Sequence, residues 1–182
     1  MDERITSEKE YIELVQSGDK NAYAAIVNTY KKRAYFIAYS FVKTEADALD
    51  VSQEAFIKAF RHIKKFDTKC DFFPWFYRIL KNLCLDWLRK NKRRSEIPLE
   101  DVTLAATPQV NQMLKIELWE GIEKLPFEQR EILTLRYFQG FSYKEIAGIL
   151  DKPLGSVMSS LYYSKKNLRT KMGDLFDETR RN

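Results

Sequence analysis

One segment of the chain combines aromatic rings, cations and an amide at helical spacing. Four of these residues follow one another at intervals of three, four and seven: Trp75, Arg78, Asn82 and Arg89. Two more rings, Phe66 and Phe73, lie just upstream. Rings stack on bases, cations hold phosphates and an amide can read a base edge, so the set suits unstacked single-stranded nucleic acid. Composition alone favours the simpler interpretation that these aromatics are core residues.

A second polar face precedes this segment. Its charged members recur at the same three intervals: Asp47, Asp50, Glu54 and Arg61. Gln53 lies beside them. An acidic stripe on a chain of net charge +5 could bind a partner or could be a solvated helix face, and the spacing leaves both open.

The sequence offers no constellation for catalysis or metal binding. It has no nucleophile–base pair and no glycine-rich phosphate loop, and the single histidine, His62, cannot complete a usual zinc set. The cysteines, Cys70 and Cys84, lack CxxC spacing, so we expect both to be small buried side chains. We therefore expect no metal, no cofactor and no enzymatic activity.

The composition favours an intracellular protein with an acidic partner. The first ten residues are charged and lack the apolar core of a signal peptide, and no apolar run is long enough to cross a bilayer. We expect a cytoplasmic protein without membrane insertion. The net charge fits nucleic acid, although many globular proteins carry as much.

Helical periodicity dominates the first half of the chain. Glycine and proline number only six and five, and no segment alternates as a strand does, so we predict an all-α fold. Four helices are predicted at about 7–17, 21–42, 45–65 and 73–91. The buried stripe of the third is predicted to be Leu49, Phe56, Phe60 and Ile63. That of the fourth is predicted to be Phe76, Ile79, Leu80, Leu83, Trp87 and Leu88.

The pattern breaks between residues 92 and 110. Periodicity is lost there and two prolines, Pro98 and Pro108, appear. We therefore predict two small helical domains, at 1–92 and 111–175, with a flexible linker at 93–110 and a tail at 176–182. The second domain is predicted to hold helices at about 111–124, 127–139, 142–150 and 155–172.

The last two predicted helices have the form of a helix-turn-helix. Ser142 and Glu145 can form a capping box, and a short break at 151–155 separates the two helices. The apolar residues expected between them are Ile146, Ala147, Leu150, Val157, Leu161 and Leu168. The second helix would present an outward face of polar, aromatic and basic side chains to a DNA major groove: Met158, Ser159, Tyr162, Tyr163 and Lys166. The spacing alone is also compatible with a plain helical hairpin.

These segments resemble the sigma-70 family of RNA polymerase sigma factors. Residues 50–60 are similar to sigma region 2.2, and residues 66–89 to regions 2.3 and 2.4. Residues 125–133, the Ser-Tyr-x-Glu-Ile-Ala that begins at Ser142, and the Gly-Ser-Val at 155–157 resemble region 4. The linker is too short for the third region of the housekeeping factors, which indicates the extracytoplasmic-function group.

The resemblance assigns roles to particular residues. It implies that Asp50, Gln53 and Glu54 bind core RNA polymerase. It implies that the minus-ten element is melted and captured by an aromatic and polar set, in which Phe66 and Asn82 match the pocket for a flipped base: Phe66, Phe73, Trp75, Arg78, Asn82 and Arg89. It implies that the helix-turn-helix reads the minus-thirty-five duplex through its second helix: Ser156, Met158, Ser159, Tyr162, Tyr163 and Lys166.

Two positions depart from the family pattern. Met158 and Tyr163 stand where family members usually carry basic residues, which puts contacts to phosphate and guanine from these two positions in doubt. The partners implied are core polymerase, promoter DNA both as duplex and as single strand, and an anti-sigma factor. The alternative is a stand-alone helix-turn-helix regulator, which would leave the acidic face and the single-strand face unexplained.

Overall fold

A computed structural model of the chain describes residues 7–92, 121–122 and 124–179. Every regular element within these ranges is helical, which confirms the predicted all-α fold. The chain divides into two compact units, Met1–Ile97 and Pro98–Asn182. The linker predicted at 93–110 and most of the helix predicted at 111–124 lie outside the described residues.

Four helices are described in the first unit. They are α1 (Glu8–Ser17), α2 (Tyr23–Val42), α3 (Glu45–His62) and α4 (Phe72–Lys92), with short 3-10 turns at Lys20–Ala22 and Ile63–Lys65. The starts of α1 and α3 follow from side-chain caps, whereas α2 begins after Ala22 without one. Ser7 and Glu10 form a capping box before α1, and the Thr44 hydroxyl accepts a bond from the Asp47 amide before α3.

The core of this unit lies between α2, α3 and α4. Phe56 of α3 and Phe76 of α4 stack with their ring centroids 4.6 Å apart. Phe76, Leu80 and Leu83 are buried as predicted, whereas the other members of the predicted α4 stripe are only half-buried: Ile79, Trp87 and Leu88.

The predicted buried stripe of α3 is wrong at Leu49, whose side chain is 48% exposed. The buried residues of the helix are mostly small: Ala48, Val51, Ser52, Ala55, Phe56 and Ala59. The stripe is therefore centred on alanines that let neighbouring helices approach closely, and it turns Leu49 and Ile57 to solvent while it keeps Phe56 buried. Phe60, at the margin of this stripe, is half-buried.

Three helices of the second unit are described. They are α5 (Phe127–Leu133), α6 (Tyr143–Leu150) and α7 (Leu154–Thr179), and α5 continues into a π-helical turn at Thr134–Phe138. The predicted capping box is present, since the Ser142 hydroxyl accepts from the Glu145 amide at 3.3 Å and the Glu145 carboxylate accepts from the Ser142 amide at 2.7 Å. Helix α7 runs on into the predicted tail.

The packing of α6 on α7 follows the predicted apolar set. Ile146, Val157 and Leu161 are buried, and the other members are half-buried: Ala147, Leu150 and Leu168. Helix α6 ends at Asp151, which has a left-handed backbone with φ of 53°. Such a residue stops a helix sharply, so the chain can turn at Lys152 and Pro153 and enter α7 directly.

The two cysteines differ in environment. Cys84 is buried in α4, as expected, but Cys70 is exposed, so its predicted burial is wrong. Cys70 lies in the loop before α4, where its amide donates to the carbonyl of Asp67 at 3.0 Å. Among the described residues, no helix is long and apolar enough to span a membrane, and no cluster of three or more metal-ligating side chains is found.

Candidate functional site

The outer face of α4 gathers most of the residues predicted to contact single-stranded DNA. Arg78, Asn82 and Arg89 are exposed, and Trp75 on the same side is half-buried. Arg89 pairs with Asp86 one turn away at 3.1 Å, and both side chains remain largely exposed. The face therefore offers two guanidinium groups and an amide to solvent, with an aromatic ring at its N-terminal end.

Phe66 packs against the start of α4, next to Trp75 of this face. Its ring centroid lies 4.9 Å from that of Trp75 and 5.8 Å from that of Phe72. Phe66 is only 6% exposed. Trp75 and the loop that carries Phe66 thus form one aromatic cluster, and Asn82 lies about 10 Å further along the helix axis.

Phe73 is placed apart from the other predicted DNA-contacting residues. It is buried, stacks on Tyr30 of α2 at 5.4 Å and lies under the guanidinium of Arg33 at 5.2 Å. Burial and a hydrogen bond to Glu8 raise the pKa of Tyr30 above its ordinary value. Phe73 therefore belongs to the packing between α2 and α4, and its direct contact with DNA stays a prediction that this packing does not favour.

The exposed face of α3 is both polar and apolar. Asp50, Gln53 and Glu54 are all exposed on it. Two large apolar side chains share the face, Leu49 at 48% exposure and Ile57 at 52%. Sequence reasoning missed both, because it assigned Leu49 to the core and did not single out Ile57. The helical phase of the buried alanines is the signal that could have found them.

Asp47 differs from the other acidic residues of the stripe because its carboxylate is bonded within the fold. Its carboxylate accepts a 3.0 Å hydrogen bond from the indole Nε1 of Trp87, and the Thr44 hydroxyl also donates to it. This contact joins the start of α3 to the far end of α4. The exposed acidic groups of the stripe are thus Asp50 and Glu54, with Asp47 bound within the fold.

In the second unit, all residues predicted to read duplex DNA lie on the solvent side of α7. They are exposed from the first turn onward: Ser156, Met158, Ser159, Tyr162, Tyr163 and Lys166. The rings of Tyr162 and Tyr163 meet edge to face with centroids 5.4 Å apart. Met158, Tyr162 and Tyr163 are 51%, 62% and 59% exposed, so much of this polar face is in fact apolar or aromatic.

The chain is similar to known proteins over nearly its whole length. The family models for sigma-70 region 2 and sigma-70 region 4 match residues 26–94 and 115–168. It is 32% identical to the ECF RNA polymerase sigma factor SigW of Bacillus subtilis, with 92% of this chain and 97% of the relative covered. It is 33% identical to the ECF RNA polymerase sigma-E factor of Haemophilus influenzae, with 96% and 100% covered.

Solved structures share the fold. CnrH, solved in complex with the cytosolic domain of CnrY, superposes with a TM-score of 0.69 at 22% identity, covering 93% of this chain and 97% of its own. The sigma factor RpoE of Bartonella quintana gives 0.67 at 20% identity, covering 83% and 96%. With the two family regions matched in order, the chain belongs to the sigma-70 family and is an extracytoplasmic-function sigma factor of RNA polymerase.

Proposed function

We propose that the chain docks on core RNA polymerase through α3, captures a melted minus-ten strand on α4 and reads the minus-thirty-five duplex with α7. The observation that carries the proposal is that α3 and α4 expose two chemically different faces. The α3 face mixes acids with aliphatic side chains, whereas the α4 face presents cations, an amide and an aromatic ring. One face suits a protein, and the other suits a nucleic acid.

The docking face has the composition of a protein interface. Leu49 and Ile57 supply apolar area that contact with a partner would remove from water. Asp50, Gln53 and Glu54 lie around them as a polar rim that can select a basic or hydrogen-bonding surface. Such a patch on a sigma factor supports core polymerase as its occupant.

The α4 face supports capture of a single strand. Arg78 and Arg89 can each neutralise a phosphate, and the amide of Asn82 can donate to and accept from a base edge. The half-buried ring of Trp75, which packs against the buried ring of Phe66, provides a surface for base stacking, which is worth about 1–3 kcal/mol per base. A duplex hides the Watson–Crick edges and the stacking faces of its bases, which this set could contact in a single strand, so the face favours a melted strand.

The α7 face supports duplex readout with an unusual bias. Ser156, Ser159 and Lys166 can contact phosphates or base edges, whereas Met158 and the tyrosines offer apolar surface. In a major groove the thymine methyl group is the apolar feature that such side chains can contact. The missing cations at Met158 and Tyr163 leave phosphate binding to Lys166 and its basic neighbours.

Two further aspects follow from family membership. Sigma factors in general are not enzymes, and we propose that this chain too redirects the polymerase without catalysing a step itself. Its site of action would be the cytoplasm, where polymerase meets DNA. The similar RpoE is solved with the anti-sigma factor NepR, which supports a protein inhibitor as a further partner of this chain.

Run-off transcription on genomic fragments with purified core polymerase tests the proposal. Core plus this chain should give transcripts with defined starts that core alone does not give, and aligning those starts should reveal the two promoter elements. A stand-alone helix-turn-helix regulator would bind duplex fragments but leave the starts made by core unchanged. That second outcome would overturn the proposal.

A further inference from the structure

A single side chain of α1 bonds to the loop that carries Phe66. The amide Nε2 of Gln16 donates to the backbone carbonyls of Ile63 and Phe66, each at 2.8 Å, across 47 and 50 residues of sequence. A side-chain amide nitrogen has two hydrogens, so these two bonds use its full donor capacity. Gln16 is half-buried, which shields the bonds from competing water.

The two carbonyls mark the two ends of one turn. The Phe66 amide donates to the Ile63 carbonyl at 3.0 Å, so Gln16 reinforces a turn that the backbone already closes. Phe66 leaves this turn with an extended backbone, and its ring then reaches Trp75. The loop beyond it is held by bonds within itself, from the Lys69 and Cys70 amides to Asp67. The bonds from Gln16 therefore hold the backbone at Phe66, the residue whose ring packs on Trp75.

We propose that Gln16 is a positioning residue for promoter opening. It holds the turn at Ile63–Lys65 so that Phe66 stays beside Trp75 in the arrangement that receives a melted base. Gln16 itself contacts no DNA, and neither its helix nor its side chain belongs to the docking face of α3. The inference rests on the proposed function, in which the α4 face captures the strand and Phe66 supports Trp75.

The direct test replaces Gln16 with methionine, which is similar in length and has no donor. Ser17→Ala is the matched control, because the Ser17 hydroxyl bonds only to the Leu14 carbonyl of its own helix among the contacts described. Full-length variants are assembled with core polymerase on a duplex promoter. The equilibrium between closed and open complexes is measured by permanganate reactivity of thymines at the minus-ten element.

Gln16→Met should bind core and form closed complexes normally. The equilibrium constant for opening should fall by about five- to thirtyfold, which is the range expected for the loss of one or two net hydrogen bonds. Ser17→Ala should open like the wild type. If Gln16→Met opens normally while Asn82→Ala does not, the positioning role is wrong and the capture proposal stands. If both open normally, the capture proposal is wrong and the positioning role falls with it.

Hydrogen exchange separates positioning from a general loss of stability. In the free full-length chain, Gln16→Met should speed exchange of the Phe66 amide while the amides of α2 keep their protection. Uniform acceleration across the first unit would mean that Gln16 merely stabilises the fold, and would overturn the proposal.

Discussion

At the scale of residues, side chains of the same type have different roles in this chain, some within the fold and some on its surface. Asp47 is tied to the Trp87 indole inside the fold, whereas Asp50, one turn later, faces solvent. Trp87 bonds α4 to α3, whereas Trp75 packs on Phe66 at the edge of the proposed DNA face. Intervals of three and four residues place such side chains on roughly one side of a helix. They do not tell which of them the neighbouring helices will cover.

Tyr23 shows how a buried hydroxyl ties two helices together. Its hydroxyl donates to the Phe56 carbonyl of α3 at 2.7 Å, and its ring lies 4.9 Å from that of Phe60. Burial raises the pKa of Tyr23 above its usual value near 10. The neutral hydroxyl therefore contributes stability that is fully present below about pH 10 and is lost as the pH rises further.

We expect Tyr23→Phe to lower the free energy of unfolding by about 1 kcal/mol at neutral pH, the usual net value of one hydrogen bond. The gap between the variant and the wild type should narrow near pH 11, since only the wild type must keep Tyr23 protonated. Urea denaturation followed by circular dichroism at the two pH values measures the gap. A gap that stays constant would mean that Tyr23 does not titrate with unfolding.

At the scale of elements, local signals predicted the helices well. Caps at Thr44 and Ser142 and the break near Gly18 lie where the structure has them, because these signals act within a few residues. The sequence pattern places Leu49 on the wrong side of α3. Alanines contribute little to a hydrophobic pattern, yet their small size decides which side of the helix packs closely. Tertiary contacts with α2 and α4 fix that rotation.

The π-helical turn after α5 is another feature that the sequence did not predict. A single helix was expected over 127–139, but the turn at Thr134–Phe138 widens it and leaves Tyr137 and Phe138 exposed. Turns of this kind are rare, and the apolar spacing over 127–139 carries no signal for one. The types of the predicted site residues can be read from the sequence. Which of these residues are exposed depends on how the helices pack against one another.

The rotation of α3 leads to a direct prediction about docking. Leu49→Ser should change the free energy of unfolding by less than about 0.5 kcal/mol, because Leu49 is exposed, whereas a core leucine loses several kcal/mol when truncated. It should nevertheless weaken binding to core polymerase, as should Gln53→Ala combined with Glu54→Arg. His62→Ala is the control, since His62 is exposed on the opposite side of the same helix. Pull-down with core and thermal melts measure the two effects.

The outcomes at Leu49 separate the two assignments of its side chain. If Leu49→Ser lowers the free energy of unfolding by several kcal/mol and still binds core polymerase normally, Leu49 is a core residue and not a docking residue. Normal binding by a folded Gln53–Glu54 double variant would remove α3 as the docking helix.

At the scale of the whole molecule, the proposed function divides promoter recognition and opening between the two units. In this proposal each unit has one exposed face for DNA, on α4 and on α7, and the docking face of α3 belongs to the first unit. A modest net charge of +5 is compatible with binding DNA. Docking, duplex readout and strand capture should then fail separately when their faces are altered.

The most direct test of that separation is permanganate footprinting of promoter complexes formed by the Asn82→Ala holoenzyme. Core binding and closed complexes on duplex should match the wild type, because α3 and α7 are untouched. Reactive thymines in the minus-ten bubble should decline, since losing one base readout costs about 1–3 kcal/mol. A pre-melted mismatch there should not restore full affinity. Normal thymine reactivity with the folded variant would contradict capture of the strand by α4.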